Sequence, residues 1–137
     1  MSEFSEALKE RSLVFATSVL QLVDKLPNSI VGRVVGSQLA RCSTSVAANY
    51  RAACIARSRR EFIAKLGTVV EEADESTCWL ELIRRREMLP ATEIKPVHAE
   101  SVELRNIFGK SLGTARANLR RAKANNASTN QMNQITR

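Results

Sequence analysis

A chain of 137 residues, 44% hydrophobic and 26% charged, has the size and composition of one globular domain able to bury a core. Its 21 Lys and Arg against 14 Asp and Glu leave a net charge of +7, which points to an anionic partner rather than to a reaction. No apolar run approaches the roughly 18 to 20 residues of a bilayer span, and Ser2-Glu3-Phe4 does not open a secretory signal, so the cytoplasm is the expected location.

Glycine and proline are scarce, while Ala, Leu, Glu and Arg are plentiful, which favours helix over sheet. Apolar residues recur at steps of three and four through four segments. In the first, Phe4, Leu8, Phe15, Val19, Leu22 and Leu26 form one stripe with a skipped turn near Ser12. Pro27-Asn28-Ser29 ends that helix and offers caps for the next. The second runs from about Ile30 to Ala56 and carries Val31, Val34, Val35, Leu39, Cys42, Val46, Tyr50, Ala53 and Cys54. Gly32, Gly36 and its β-branched residues weaken it locally, and the small residues Gly36, Ala40, Ala47 and Ala48 permit close helix approach.

The third segment begins with a capping box, Ser58-Arg59-Arg60-Glu61. Phe62, Leu66, Val69, Ala73, Ser76, Leu80 and Ile83 then alternate steps of four and three, a heptad pattern suited to shallow helix crossings. Pro90 predicts an end near Met88-Leu89. In the fourth, Thr92 is the predicted cap and Pro96 falls near the start; Leu104, Phe108, Ser111, Ala115, Leu119 and Ala122 form the inner stripe, widened by Ile107 and Leu112. From Ala124 the chain is mostly Asn, Gln, Ser and Thr, too polar to offset its ordering entropy. The expected architecture is all-α: an antiparallel up-down-up-down four-helix bundle over residues 1–123, followed by a disordered polar tail over 124–137.

The charge is unevenly placed. Between Asp24 and Glu61 there is no acid, yet Lys25, Arg33, Arg41, Arg51, Arg57, Arg59 and Arg60 lie there. A second acid-free stretch, Arg105 to Arg137, holds seven more cations. Arg116, Arg120 and Lys123 fall within about 60° of Arg105 at about 100° per helical residue, while Arg33 and Arg51 share a face of the second helix. Arg59 and Arg60 sit at a helix N-terminus, where positive charge is unfavourable, so something outside the helix should use them. The predicted nucleic-acid-binding set is Arg41, Arg51, Arg57, Arg59 and Arg60, supported by Arg116, Arg120, Arg121 and Lys123, acting on RNA or DNA phosphates without sequence preference. The alternative is a protein-interaction and assembly module whose cations serve its own interfaces.

Gln38-Leu39-Ala40-Arg41, Ser45-Val46-Ala47-Ala48-Asn49 and Arg57-Ser58-Arg59-Arg60-Glu61-Phe62 resemble, in order and spacing, a bacterial four-helix-bundle family. Some of its members are encoded in intervening sequences of large-subunit ribosomal RNA genes. Glu71-Glu72-Ala73-Asp74-Glu75 and Trp79-Leu80-Glu81-Leu82 look like one branch of it, and the resemblance spans residues 10–122. Many members follow the Asn with Ile-Ala-Glu-Gly, where this chain has Tyr50-Arg51-Ala52-Ala53. The resemblance implies a ring-like homo-oligomer, with a pentamer as the expected count, an association with nucleic acid, and no enzymatic activity.

The remaining polar candidates read as structural. The acids Glu71, Glu72, Asp74 and Glu75 lack the Glu-x-x-His pairs of a di-iron bundle, so no metal or other cofactor is expected; a cationic partner for them is. Cys42, Cys54 and Cys78 read as small buried hydrophobes, since one histidine in the chain gives a catalytic thiol little support. Gln38 and Asn49 are expected to hydrogen-bond between helices, and His98 to lie on the surface.

Overall fold

Three serines mark where helices begin. The computed structural model describes residues 2–136 and consists of α1 (Glu3–Asp24), α2 (Ile30–Cys54), α3 (Arg59–Arg85) and α4 (Ala91–Ile135). Ser2, Ser29 and Ser58 stand in extended conformation ahead of the first three, each accepting from an amide one turn on: Ser5, Gly32 and Glu61. Glu61 reaches back to the Arg57 amide at 3.2 Å, completing the expected box one residue further out. Met1 and Arg137, the outermost residues of the expected bundle and tail, lie outside the described residues.

Among the described residues there is no strand, and no helix is long and apolar enough to cross a membrane. Each helix packs on its neighbours in sequence and α1 also meets α4, closing the four around one core. Partners run in opposite chain order along α3 and α4: Asp74 with Arg105, Thr77 with Ser101, Glu81 with His98. The same holds on α1 and α4, where Arg11 meets Glu100 and Lys25 meets Glu93.

The heptad positions of α3 from Leu66 to Ile83 are all buried, facing Phe15, Val19, Leu39, Val46, Ile94 and Leu104. The Tyr50 ring lies 5.0 Å from that of Phe108, tilted by 45°, an arrangement worth about 0.5–1.5 kcal/mol beyond its buried area. Ser12, the skipped turn of α1, is buried, and its hydroxyl donates to the Leu8 carbonyl at 2.8 Å. No buried side-chain nitrogen or oxygen among the described residues lacks a partner. Gly32 is a steric necessity, because a Cβ there would lie 1.9 Å from the Pro27 carbonyl oxygen.

Several expectations are corrected. Phe4 is 60% exposed, because it stands only two residues past the Ser2 cap. Ala47 and Ala48 do not seal a helix contact; with Leu13 and Leu20 they line an open groove of about 360 Å³ between α1 and α2. Gly36 takes the close-approach role, against Val23 and Leu26. α3 stops at Arg85, short of Met88, because Glu87 turns left-handed (φ 53°). The Met88 and Glu87 amides then close on the Ile83 and Arg84 carbonyls, a Schellman ending. α4 starts behind Pro90 at Ala91, so Thr92 is not its cap, and Pro96 sits past the first turn. Cys42 is buried as expected, but Cys54 is half-buried and Cys78 exposed.

The largest difference concerns the expected tail. The helix does not stop near Ala124; α4 runs 45 residues, to Ile135. No glycine or proline follows Gly113 to break it, and 115–124 is rich in Ala, Arg and Leu. Leu112 is its last buried residue, and every described residue from Lys123 onward is exposed. Residues 123–135 therefore carry the helix roughly 20 Å past the bundle at about 1.5 Å per residue.

Candidate nucleic-acid interface

Of the nine predicted cations, Arg41 alone has an acid partner. Its guanidinium donates to Glu75 at 2.6 Å and to Glu72 at 3.3 Å across the α2–α3 seam. That contact, followed by a hydrogen bond from the Trp79 indole, holds the Glu75 carboxyl below its usual range. The acid run of α3 therefore has the cationic partners its self-repulsion calls for, Arg41 on one side and Arg105 to Asp74 at 3.1 Å on the other. Arg41 thus belongs to the bundle's flank, not to an open phosphate site. Arg33, expected to share a face with Arg51, is tied to Asn28 at 3.1 Å at the opposite end of α2.

The other eight, Arg51, Arg57, Arg59, Arg60, Arg116, Arg120, Arg121 and Lys123, are exposed and make no ion pair with any described acid. Chain direction gathers them. Arg57, Arg59 and Arg60 surround the α2–α3 turn, and Arg51 lies one turn back on α2. Carried back to the first turn of α3, the register set by Asp74–Arg105 and Thr77–Ser101 brings Arg59 and Arg60 level with Arg120 and Arg121. Phe62 and Asn118 line one groove, which supports that alignment. Two cationic blocks far apart in sequence thus meet at one end of the molecule. Arg51 stands aside from this meeting point, on the α1–α2 groove with Lys9.

Sequence reading missed Lys65 and Lys110, which are also without an ion pair; Lys110 lines the groove beside Phe62 and Asn118. Its place in the acid-free run of α4 was the available signal. Acids at this end are few: Glu61 is occupied in capping α3, and Glu6 pairs with Lys9 at 3.1 Å. The other end differs. There Glu81 takes Arg84 at 2.7 Å and Arg85 at 2.9 Å, which pull its carboxyl down to about 2, and lies 3.2 Å from His98. His98 is therefore half-buried at an ion cluster rather than free on the surface.

Neither polar residue of α2 links helices as expected. The Asn49 amide turns back to the Ser45 carbonyl and hydroxyl at 2.9 and 2.8 Å, and Gln38 accepts from Arg41 at 3.4 Å. Cross-helix polar contacts come instead from Ser76 to the Cys42 sulfur at 3.2 Å and from Thr77 to Ser101 at 2.9 Å.

Fold and charge together define a class, the all-helical bundle with ion-paired flanks and one unpaired cationic end. The chain belongs to the 23S rRNA-intervening sequence protein family, whose model matches residues 7–110. A crystal structure at 1.70 Å of a Bacteroides thetaiotaomicron protein of unknown function from the S23 ribosomal protein family is 32% identical and superposes with a TM-score of 0.73. That match covers 80% of this chain and 97% of the other. No match is found among curated proteins. The family description names no reaction.

Proposed function

We propose that this protein is a non-enzymatic, homo-oligomeric bundle that binds the phosphate backbone of RNA or DNA without sequence preference, in the cytoplasm. The helices alternate up-down-up-down, as the opposed partner order along α3–α4 and α1–α4 favours. One observation carries the reading: Arg57, Arg59, Arg60, Arg120 and Arg121 are exposed, unpaired and level with one another. Holding Arg59 and Arg60 in the first turn of α3 costs stability through the helix dipole, which an external anion would offset. The name of the family, taken from ribosomal RNA genes, agrees with a nucleic-acid partner.

A salt titration of binding to labelled RNA and DNA duplexes tests it. For duplex DNA, log K should fall against log salt with a slope of about −0.9 per phosphate neutralised. Absence of binding at low salt, or binding indifferent to salt, would overturn it.

A second reading, an assembly module with no nucleic-acid role, is favoured by apolar side chains left in water on α1 and α2: Leu13, Val14, Leu20, Val31 and Val34, all more than 40% exposed. These faces suit the subunit contacts of a closed ring such as a pentamer. Light scattering separates the readings: under this one, Arg59→Glu with Arg60→Glu dissociates the oligomer.

A further inference from the structure

We infer that the part of α4 past Leu112 is a recognition arm for duplex DNA, which lies in the major groove with cations on phosphates and carboxamides on base edges. This rests on the nucleic-acid reading above, with its backbone contacts kept, but replaces the lack of sequence preference by a preference for A·T-containing duplex DNA that the carboxamides supply. The family match stops at residue 110, and full burial on α4 stops at Leu112. The outer part of the helix is therefore an addition to the shared bundle and holds none of its fully buried residues. At about 100° per residue, Arg116, Arg120, Lys123, Asn130 and Gln134 fall on one face of this extension, within about 40° of Arg116. Cations occupy the half nearer the bundle and carboxamides the far half. All five are exposed, and no acid follows Glu103.

That order matches a duplex. Arg and Lys contact phosphates and fix the register, while the side-chain amide of Asn or Gln pairs with the N6 and N7 edge of adenine. A helix is about 10–12 Å across with its side chains, and the B-form major groove is about 12 Å wide, whereas the A-form RNA major groove is too deep and narrow to be read. The extension is poorly suited to pairing with its own counterpart in a second copy. Its inner half is cationic and acid-free, so like halves repel, and past Ala124 only Met132 and Ile135 are large and apolar. Asn, Ser and Thr form helix weakly and every described residue past Ala122 is exposed, so an outside surface would stabilise this stretch. The groove supplies one.

The experiment uses the full chain, with an A·T-containing DNA duplex, a G·C-only DNA duplex and an RNA duplex as probes. Arg116→Ala with Arg120→Ala and Lys123→Ala should make the salt slope shallower by about 2 to 3. Asn130→Ala with Gln134→Ala should keep the slope and lose roughly tenfold of the preference for the A·T-containing DNA. Far-ultraviolet circular dichroism should gain helix signal when DNA is added to the wild type. An unchanged thermal midpoint in both variants shows that the bundle is intact. Binding by both variants equal to wild type, or preference for the RNA duplex, overturns the arm while leaving the reading on Arg57, Arg59 and Arg60. No duplex binding by the wild type at low salt overturns both.

Discussion

Arg41 and Arg59 lie in the same acid-free run of sequence, yet they meet opposite fates in space. On the flank, neighbouring helices set the acids of α3 beside α2 and α4, so Arg41 and Arg105 are neutralised by Glu75 and Asp74. At the end, the α2–α3 turn and the extending α4 bring cation to cation, and the one acid beside the turn, Glu61, is spent on the cap. A charge deficit along the chain becomes an electrostatic surface only where packing fails to supply counter-charges from another helix.

The comparison can be broken first at its base. Phe108 is fully buried beneath the cationic end, against Tyr50, and Phe108→Ala should cost about 3–5 kcal/mol in a denaturant titration. A smaller loss would mean that this end of the core is loosely packed. Next, Arg59→Glu with Arg60→Glu should weaken duplex binding about 100-fold at low salt. The same change should raise the bundle's stability by about 0.5–1 kcal/mol, because acids suit a helix N-terminus. A loss of stability would show that these arginines are structural.

Burial raises the Tyr50 hydroxyl to about 12, with a Ser5 hydrogen bond pulling the other way. A tyrosine raised above its unfolded value of 10.0 contributes stability that is whole below pH 10 and lost as pH climbs toward 12. Tyr50→Phe should flatten that alkaline decline by about 2–3 kcal/mol, read from the difference between the two proteins' pH profiles. An unchanged slope would place the hydroxyl in water.

The smallest effect sharpens the contrast most. Arg41→Ala should leave the denaturation midpoint nearly unmoved, since its side chain is half-exposed and its ion pairs are screened by water, and should leave duplex binding within about twofold. Because Arg41 holds Glu75 below its ordinary 4.5, the pair's contribution is present above that pH and fades as acid protonates the carboxylate. Binding that falls as far as in the Arg59 and Arg60 variant would return Arg41 to the phosphate site.

Local signals carried most of the fold. The capping box, the α3 heptads and the Ser29 cap are written within a few residues of where they act, and each appears in place. What the sequence hid was relational. Nothing near Arg41 announces Glu75, 34 positions away, as its partner. The Schellman ending at Glu87 gave no glycine to signal it, so Pro90 drew the predicted end too far. Polar composition past Ala124 suggested disorder, yet the absence of breakers after Gly113 was the signal that the helix continues. Arg57, Arg59 and Arg60 were legible as a cluster; their alignment with Arg120 and Arg121 depends on chain direction.

Partial burial on α4 ends at Ala122, so the length of the helix beyond it is decoupled from the integrity of the bundle and the outer segment is a ruler. Seven residues inserted after Ala122 would carry the tip outward by about 10.5 Å and rotate it by only about 20°, keeping each side chain near its original bearing. Reach can therefore be tuned in steps while every buried side chain stays where it is.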